Sequence, residues 1–322
     1  MKQTIKKTLL AVFLVLWGAG AVYGYFQATD SGSKLKTVTI AYQKGDPIDL
    51  AIQHGELSKK MKAQGYKVVY RQFTDGSAEM QALAAGSVDY ARTGDTPPVT
   101  AQAAGTSIAY IAAGGTREKG SAIVVGKNSS IKSVKDLKGK KVAYTQGTSS
   151  QYFLLKALEN AGMDANDVTW VNMKQPDASI AFGRGKVDAW VTWDPYTAQA
   201  QIVQNAKILI DGSGSSKNRE FLLSTQKYAK ANKTVSAYLL QYLQEDMAWA
   251  DTHRSEVIDL YTKSLNMKKS VVKKMVDRKP FSMTAITNQI ITEQQNIADT
   301  FFDQGLITKK VYVKNAVVKV TK

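Results

Sequence analysis

Three short stretches of this 322-residue chain place small or hydroxyl-bearing residues where a strand pattern gives way to a helix pattern. They are Thr93-Gly94-Asp95-Thr96 before Pro97, Gln146-Gly147-Thr148-Ser149-Ser150 before Gln151, and Trp193-Asp194-Pro195-Tyr196. The first turn of a helix carries N–H groups without intrahelical acceptors and the positive end of the peptide dipoles. It therefore binds an anion without needing a cationic side chain. In the second stretch Gly147 permits close backbone approach, and Thr148, Ser149 and Ser150 can each donate to an oxyanion oxygen. In the third, Asp194 has the character of an N-cap and Pro195 of a first helical residue. Each stretch alone is also what a well-capped helix looks like. Their recurrence, with Gln43-Lys44 closing the first strand pattern, points to a cleft, because ligands of open α/β sheets collect beyond the carboxyl ends of the strands.

Catalysis fits these residues less well. Asp95 and Asp194 can be drawn as an acid–base pair, but capping accounts for both. The chain has no cysteine, which excludes disulfides, thiolate metal sites, thiol nucleophiles and a lipid-modified N-terminal cysteine. Its two histidines, His54 and His253, fall on predicted helices and read as surface or helix-end residues. Lys138-Gly139-Lys140-Lys141 lacks the spacing of a phosphate-binding loop and reads as a turn. Trp170, Trp190 and Trp249 read as core, whereas Trp193 adjoins a candidate binding turn. No cofactor or metal is called for.

The formal net charge is +16. Nucleic acid, an anionic membrane surface and a solvated basic face are the competing explanations. The lysines are spread along the chain, which disfavours nucleic acid. The densest run, Lys268, Lys269, Lys273, Lys274, Arg278 and Lys279, has helical spacing. It reads as a solvated helix face, with attraction to anionic lipid or wall polymer as the sharper alternative.

Alternating strands and helices must position the candidate turns. Thr37–Gln43, Lys67–Phe73, Val88–Arg92, Ser107–Ala113, Ser121–Val125, Lys141–Tyr144, Val168–Asn172, Asp188–Thr192, Lys207–Ile210 and Phe221–Ser224 read as strands. Between them lie predicted helices Ile48–Gln64 (with a break at Gly55), Gly76–Ala85, one opened by Pro97, Gln151–Ala161, Pro176–Phe182 and Pro195–Gln204. Ser133 with Asp136 suggests a capped short helix. Lys227 to Gln304 is helical in pattern, and Val311–Val320 is either a terminal strand or a loose end. The alternation predicts an α/β fold with parallel sheets covered by helices.

At the start of the chain Lys2, Lys6 and Lys7 precede an uncharged stretch from Thr8 to Thr29. This is an export pattern, with two outcomes open. Ala19-Gly20-Ala21 has the small residues of a cleavage site, while an uncleaved run of this length reaches about 30 Å as a helix, one hydrocarbon core. Charges before the run place the rest of the chain outside the cytoplasm, at a cell surface or in a periplasm.

With these residues in view the chain resembles the sulfonate/nitrate/taurine family of ABC-transporter substrate-binding proteins, most of all the aliphatic-sulfonate binders. The resemblance is carried by Ile40-Ala41-Tyr42-Gln43-Lys44, Gly86-Ser87-Val88-Asp89-Tyr90, Thr93-Gly94-Asp95-Thr96-Pro97-Pro98, Ala101-Gln102-Ala103-Ala104-Gly105, Asp136-Leu137-Lys138-Gly139-Lys140, Gln146-Gly147-Thr148-Ser149-Ser150 and Val187-Asp188-Ala189-Trp190-Val191-Thr192-Trp193-Asp194-Pro195-Tyr196. It implies the type II periplasmic-binding fold, with ligand held between two lobes: residues 36–119 plus 221–322, and residues 120–220, after a 1–35 export or anchor segment. It also implies that Gln43, Gly94 and Asp95 line the first wall, and Gly147, Thr148, Ser149, Trp193, Asp194 and Tyr196 the second. Implied partners are a small sulfonate or other organic anion and the permease and ATPase of an importer, with the membrane reached through the N-terminus. The rival is a thiamine-precursor binding protein or enzyme sharing the fold, for which an active-site histidine or cysteine cluster would speak.

Overall fold

The structure, a computed structural model, describes residues 35–320. The expected export or anchor segment lies outside the described residues. The chain runs through β1 (Lys36–Tyr42), α1 (Pro47–His54), α2 (Glu56–Ala63), β2 (Tyr66–Gln72), α3 (Gly76–Ala84), β3 (Tyr90–Thr93), α4 (Thr96–Ala103) and β4 (Ile108–Gly114). It continues through β5 (Ser121–Val125), β6 (Lys141–Tyr144), α5 (Ser149–Asn160), β7 (Thr169–Asn172), α6 (Gln175–Gly183), β8 (Ala189–Trp193), α7 (Tyr196–Val203) and β9 (Lys207–Asp211). It then runs through β10 (Phe221–Thr225), α8 (Gln226–Ala231), α9 (Lys233–Thr252), α10 (Arg254–Leu265), α11 (Lys269–Arg278), β11 (Met283–Thr284) and α12 (Asn288–Asp303).

Two sheets result, ordered β11-β4-β10-β3-β1-β2 and β7-β6-β8-β5-β9. In the first, β1 is parallel to β2 and β3, and β10 is antiparallel to β3 and β4. In the second, β6 is parallel to β7 and β8, and β5 is antiparallel to β8 and β9. The sheets are thus mixed rather than wholly parallel. The antiparallel strands β5 and β10 are those entered directly after the chain passes from one sheet to the other. The two passing segments run side by side: Arg117 N donates to Lys217 O at 2.8 Å, and Asn218 Nδ2 to Ser121 Oγ at 2.9 Å.

Both faces of each sheet are covered, which is why the strands read as apolar runs. Successive side chains point to opposite faces. Val38 and Ile40 of β1 therefore enter a core shared with α1, α2, α9, α10 and α11, while Ala41 enters one shared with α4 and α12. In β5, Ile123 and Val125 pack with α5, and Ala122 and Val124 with α6 and α7.

One expectation holds and two need refinement. Gly55, left-handed at φ 84°, does break the predicted helix into α1 and α2. The Ser133–Asp136 capping box is present but opens only a single 3₁₀ turn, Val134–Leu137. The tail is neither a strand nor a loose end. Val311, Val313 and Ala316 are buried in the core, Val313–Ala316 is a 3₁₀ turn, and Val317 makes one parallel bridge to Tyr110.

Candidate ligand-binding site

The carboxyl ends of β1, β3, β6 and β8 deliver their following turns to one small cavity between the two sheets. Gln43, Gly76, Thr93, Gly94 and Pro97 line it from the first sheet's side, Thr148, Ser149 and Trp193 from the second's, and Arg117 from the passing segment. Close approach explains Gly94: an added Cβ would stand 2.9 Å from Asn218 Oδ1 and 3.3 Å from an Arg117 guanidinium nitrogen. The two sides touch where Ser77 Oγ, in the first turn of α3, donates to Gly147 O at 3.3 Å.

The turn before α5 divides its donors. Thr148 is the N-cap: its Oγ1 accepts from Ser150 N at 3.4 Å and donates to Thr145 O at 2.7 Å. Ser150 Oγ accepts from Thr145 N at 2.9 Å and also reaches Thr145 O at 3.2 Å. Gly147, at φ 70°, gives its N–H to Gln151 Oε1 at 2.7 Å. Two of the three hydroxyls expected to face an anion are therefore spent on holding the turn. Ser149 is the hydroxyl that remains: its side chain is buried against the cavity and makes no hydrogen bond among the described residues. The N–H of Ser149, at the first helical position, has no intrahelical acceptor.

A cationic cluster sits beneath. Arg92 and Arg117 both pair with Glu220, the latter at 3.3 Å, and Lys279 Nζ lies 3.7 Å from the same carboxylate. Burial alone would raise Glu220, but Arg92, Lys279 and Arg117 outweigh it and hold the carboxyl at about 2. Burial, helped by the neighbouring Arg92 charge, pulls Arg117 down to about 10. Burial pushes Asp46 up to about 6 despite Arg92 at 3.8 Å. Glu79, on α3, has both oxygens buried without hydrogen-bond partners among the described residues; burial and Asp46 push it well above the usual carboxylate range. Arg92, Arg117 and Lys279 thus converge on Glu220, with Asp46 a second carboxylate beside Arg92, and Arg117 is the member of this cluster that lines the cavity.

Of the nine residues singled out in the sequence, Gln43, Gly94, Thr148, Ser149 and Trp193 meet in this cavity. Gly147 stands at its edge, against Ser77. Asp95 turns away. Its carboxylate takes Thr96 Oγ1 at 3.1 Å and Arg219 N at 3.3 Å, and burial pushes it up to about 6. Asp95 occupies the N-cap position of α4 but makes no side-chain capping bond. Asp194 is held by Arg278, whose Nε lies 2.7 Å from Oδ2 and Nη2 2.5 Å from Oδ1, and it accepts from Ala198 N at 3.0 Å. Pro195, expected as the first helical residue, holds the cap position, and α7 begins at Tyr196. Tyr196 packs edge-on against Trp190 in the second sheet's core rather than on the cavity.

Two contributors escaped the sequence reading. Arg117 has no motif around it, and only the side-by-side passing segments bring it to the cavity. Asp75-Gly76-Ser77 is a fourth strand-to-helix turn of the same grammar, with Asp75 capping α3 through Ala78 N at 2.9 Å. The histidines lie away from the site. His54 and His253 stack on Trp249 at 3.9 and 5.1 Å, and His54 Nδ1 pairs with Asp246 at 2.9 Å. Among the described residues no cluster of three or more His, Cys, Asp or Glu side chains could hold a metal ion, and no helix is long and apolar enough to cross a membrane.

Comparison with known proteins places this geometry. The NMT1/THI5-like family model matches residues 61–256. An Escherichia coli (strain K12) protein named for aliphatic-sulfonate binding is 33% identical over 306 residues, covering 94% of this chain and 95% of that one. The alkanesulfonate-binding protein SsuA of Xanthomonas axonopodis pv. citri, solved bound to MOPS, superposes with a TM-score of 0.84 at 30% identity, over 89% of this chain and 100% of that one. The periplasmic aliphatic sulphonate binding protein SsuA of Escherichia coli superposes at 0.80 with 34% identity, over 87% and 97%. The two-sheet α/β architecture is the periplasmic-binding-protein fold, and the chain belongs to the NMT1/THI5-like family, alongside the aliphatic-sulfonate-binding proteins.

Proposed function

We propose that this protein is the extracytoplasmic substrate-binding component of an ABC importer and that it captures a small aliphatic sulfonate between its two sheets. The observation that carries this reading is the pocket lined both by Ser149, at the start of α5, and by the Arg117 guanidinium, which stands close to Gly94. A helix terminus and a buried cation suit a permanent monoanion. Each sheet with its helices forms one lobe, residues 36–119 with 221–322 and residues 120–220, and ligand release requires the lobes to part about the segments at Arg117 and Asn218. Trp193 packs on the methylenes next to the sulfonate. The protein binds without turning its ligand over, because Asp95 and Asp194 are both committed to structural partners. The lobes present the loaded form to a permease, and the N-terminal segment reaches the membrane.

Titration calorimetry of the purified protein with ethanesulfonate and pentanesulfonate tests this. Saturable binding with the sulfonate recovered intact is expected. Consumption of the ligand, or no heat with any sulfonate, overturns it. Protease added to intact, wall-stripped cells is expected to digest the body of the protein; full protection contradicts the location.

A further inference from the structure

The cavity lies beyond the carboxyl ends of β1 and β3, at one end of the first sheet. At the opposite end β1 and β2 begin together: Lys36 N donates to Gly65 O at 2.9 Å, and Lys36 pairs in register with Tyr66. The antiparallel β10 finishes at this end, with Ser224 opposite Tyr90, and leads straight into α8 and α9. Ring contacts hold both helices to the sheet. Tyr228 of α8 lies edge-on to Tyr90 at 5.5 Å, and Tyr238 of α9 lies edge-on to Tyr66 at 6.4 Å.

This arrangement collects six lysines at one end of the lobe. Lys36 and Lys67 lie at the starts of β1 and β2, Lys62 in the last turn of α2, and Lys227, Lys230 and Lys233 on α8 and the start of α9. All six are exposed. Among the described residues none has a carboxylate partner; Lys230 Nζ reaches the neutral Gln226 Oε1 at 2.9 Å. The segments 35–41, 61–68 and 225–235 contain no acidic residue. Asp89, just before β3, gives its carboxylate to Thr39 N at 2.7 Å. Like charges gathered without counter-charges repel one another, and an anionic surface relieves that repulsion.

Building on the extracytoplasmic reading, we propose that this end of the protein rests on the phosphate head groups of an anionic lipid bilayer. The six ammonium groups come from five elements rather than from one pocket, and compact, hydrated point charges of this kind suit a diffuse layer of charge. The chain also enters the fold at Lys36, so the uncharged stretch from Thr8 to Thr29 joins the protein at its basic end. An apolar segment and a basic patch together hold a protein at a membrane more firmly than either alone. The seven residues of β1 put ~20 Å between this face and the cavity, so contact with lipid leaves the ligand cleft free.

The test is co-sedimentation of the full-length protein with vesicles of phosphatidylcholine alone and of phosphatidylcholine mixed equally with phosphatidylglycerol. The wild type is expected to prefer the anionic vesicles, and high salt to erase the preference. The triple variant Lys227→Gln, Lys230→Gln, Lys233→Gln is expected to bind the anionic vesicles roughly 10- to 100-fold more weakly, a factor of about five for each lysine, while its sulfonate affinity stays that of the wild type. Removing the same charge from exposed lysines of the other lobe, in Lys127→Gln, Lys132→Gln, Lys135→Gln, is expected to leave the preference largely in place. The apolar segment is common to all three proteins and cancels in the comparison. Equal partition of the wild type between the two vesicles overturns the proposal, as do equal losses in the two triple variants. Binding to a soluble glycerol-phosphate polymer but not to vesicles assigns the face to a wall polymer and overturns it as well. None of these outcomes bears on the location itself, which the protease experiment tests; full protection there overturns the extracytoplasmic reading whichever vesicles the protein prefers.

Discussion

Arg278, at the end of α11, closes a two-bond fork on Asp194, at the end of β8, with contacts of 2.7 and 2.5 Å, and reaches on to Gln201 Oε1 at 3.0 Å. The pair joins a helix packed on the first sheet to the strand end of the second, and both side chains are largely buried. Removing one member strands the other's charge, which for buried pairs costs about 3–5 kcal/mol. Arg278→Met is therefore expected to lower unfolding free energy by about that much in urea titrations. The Arg278→Met, Asp194→Asn double variant is expected to be more stable than Arg278→Met alone, because no charge is then left unpaired.

Thr148 and Ser149 are expected to separate stability from binding. Thr148→Ala removes the N-cap of α5 and is expected to cost about 1–2 kcal/mol of unliganded stability. Ser149 Oγ holds nothing else in place, so Ser149→Ala is expected to leave melting nearly unchanged. It is also expected to weaken sulfonate binding roughly 10- to 150-fold, the loss of one bond to a charged group. Melting curves and calorimetric titration of the two variants check this; parental affinity in Ser149→Ala would place the anion elsewhere.

Head group and tail are expected to respond to different residues. Arg117→Met removes the cation lining the head-group cavity and is expected to weaken short and long sulfonates by the same factor. Trp193→Ala removes apolar area and is expected to penalise long-tailed ligands more than short ones. Titrating both variants with ethanesulfonate and pentanesulfonate distinguishes the two patterns.

Burial raises Asp46 and Asp95 to about 6, so the folded protein keeps protons that the unfolded chain has already released. Their favourable contribution to stability is fully present below about pH 4, where unfolded carboxylates titrate, and is lost as pH rises through about 6. Glu220, held at about 2, acts in the opposite sense: its contribution is present above about pH 4 and is lost as pH falls toward 2. A sulfonate stays ionised throughout, and ionising Asp46 and Asp95 beside the site opposes it. Sulfonate affinity is therefore expected to fall as pH rises from about 5 to about 7.5, and less steeply in Asp95→Asn. Calorimetric titration at both pH values checks the sign.

The sequence by itself determined the local grammar. Short apolar, β-branched runs marked all ten of the longer strands, Gly55 marked the break between α1 and α2, and hydroxyl and glycine residues after β3 and β6 marked two of the turns that build the cavity. These features are legible because capping, backbone handedness and strand alternation are set within a few residues. The tertiary structure alone decided which polar groups are free. Thr148 and Ser150 looked equivalent to Ser149 until Thr145 was seen to engage both of them. Asp194 accepts from Ala198 N in the first turn of α7, as a cap does, but its main partner is Arg278, 84 residues further along the chain. Arg117 carried no signal at all, since its place over the cavity depends on two passing segments about 100 residues apart lying side by side. A pairing between distant residues leaves no pattern in the sequence near either one, because it is fixed only when the two sheets are packed together.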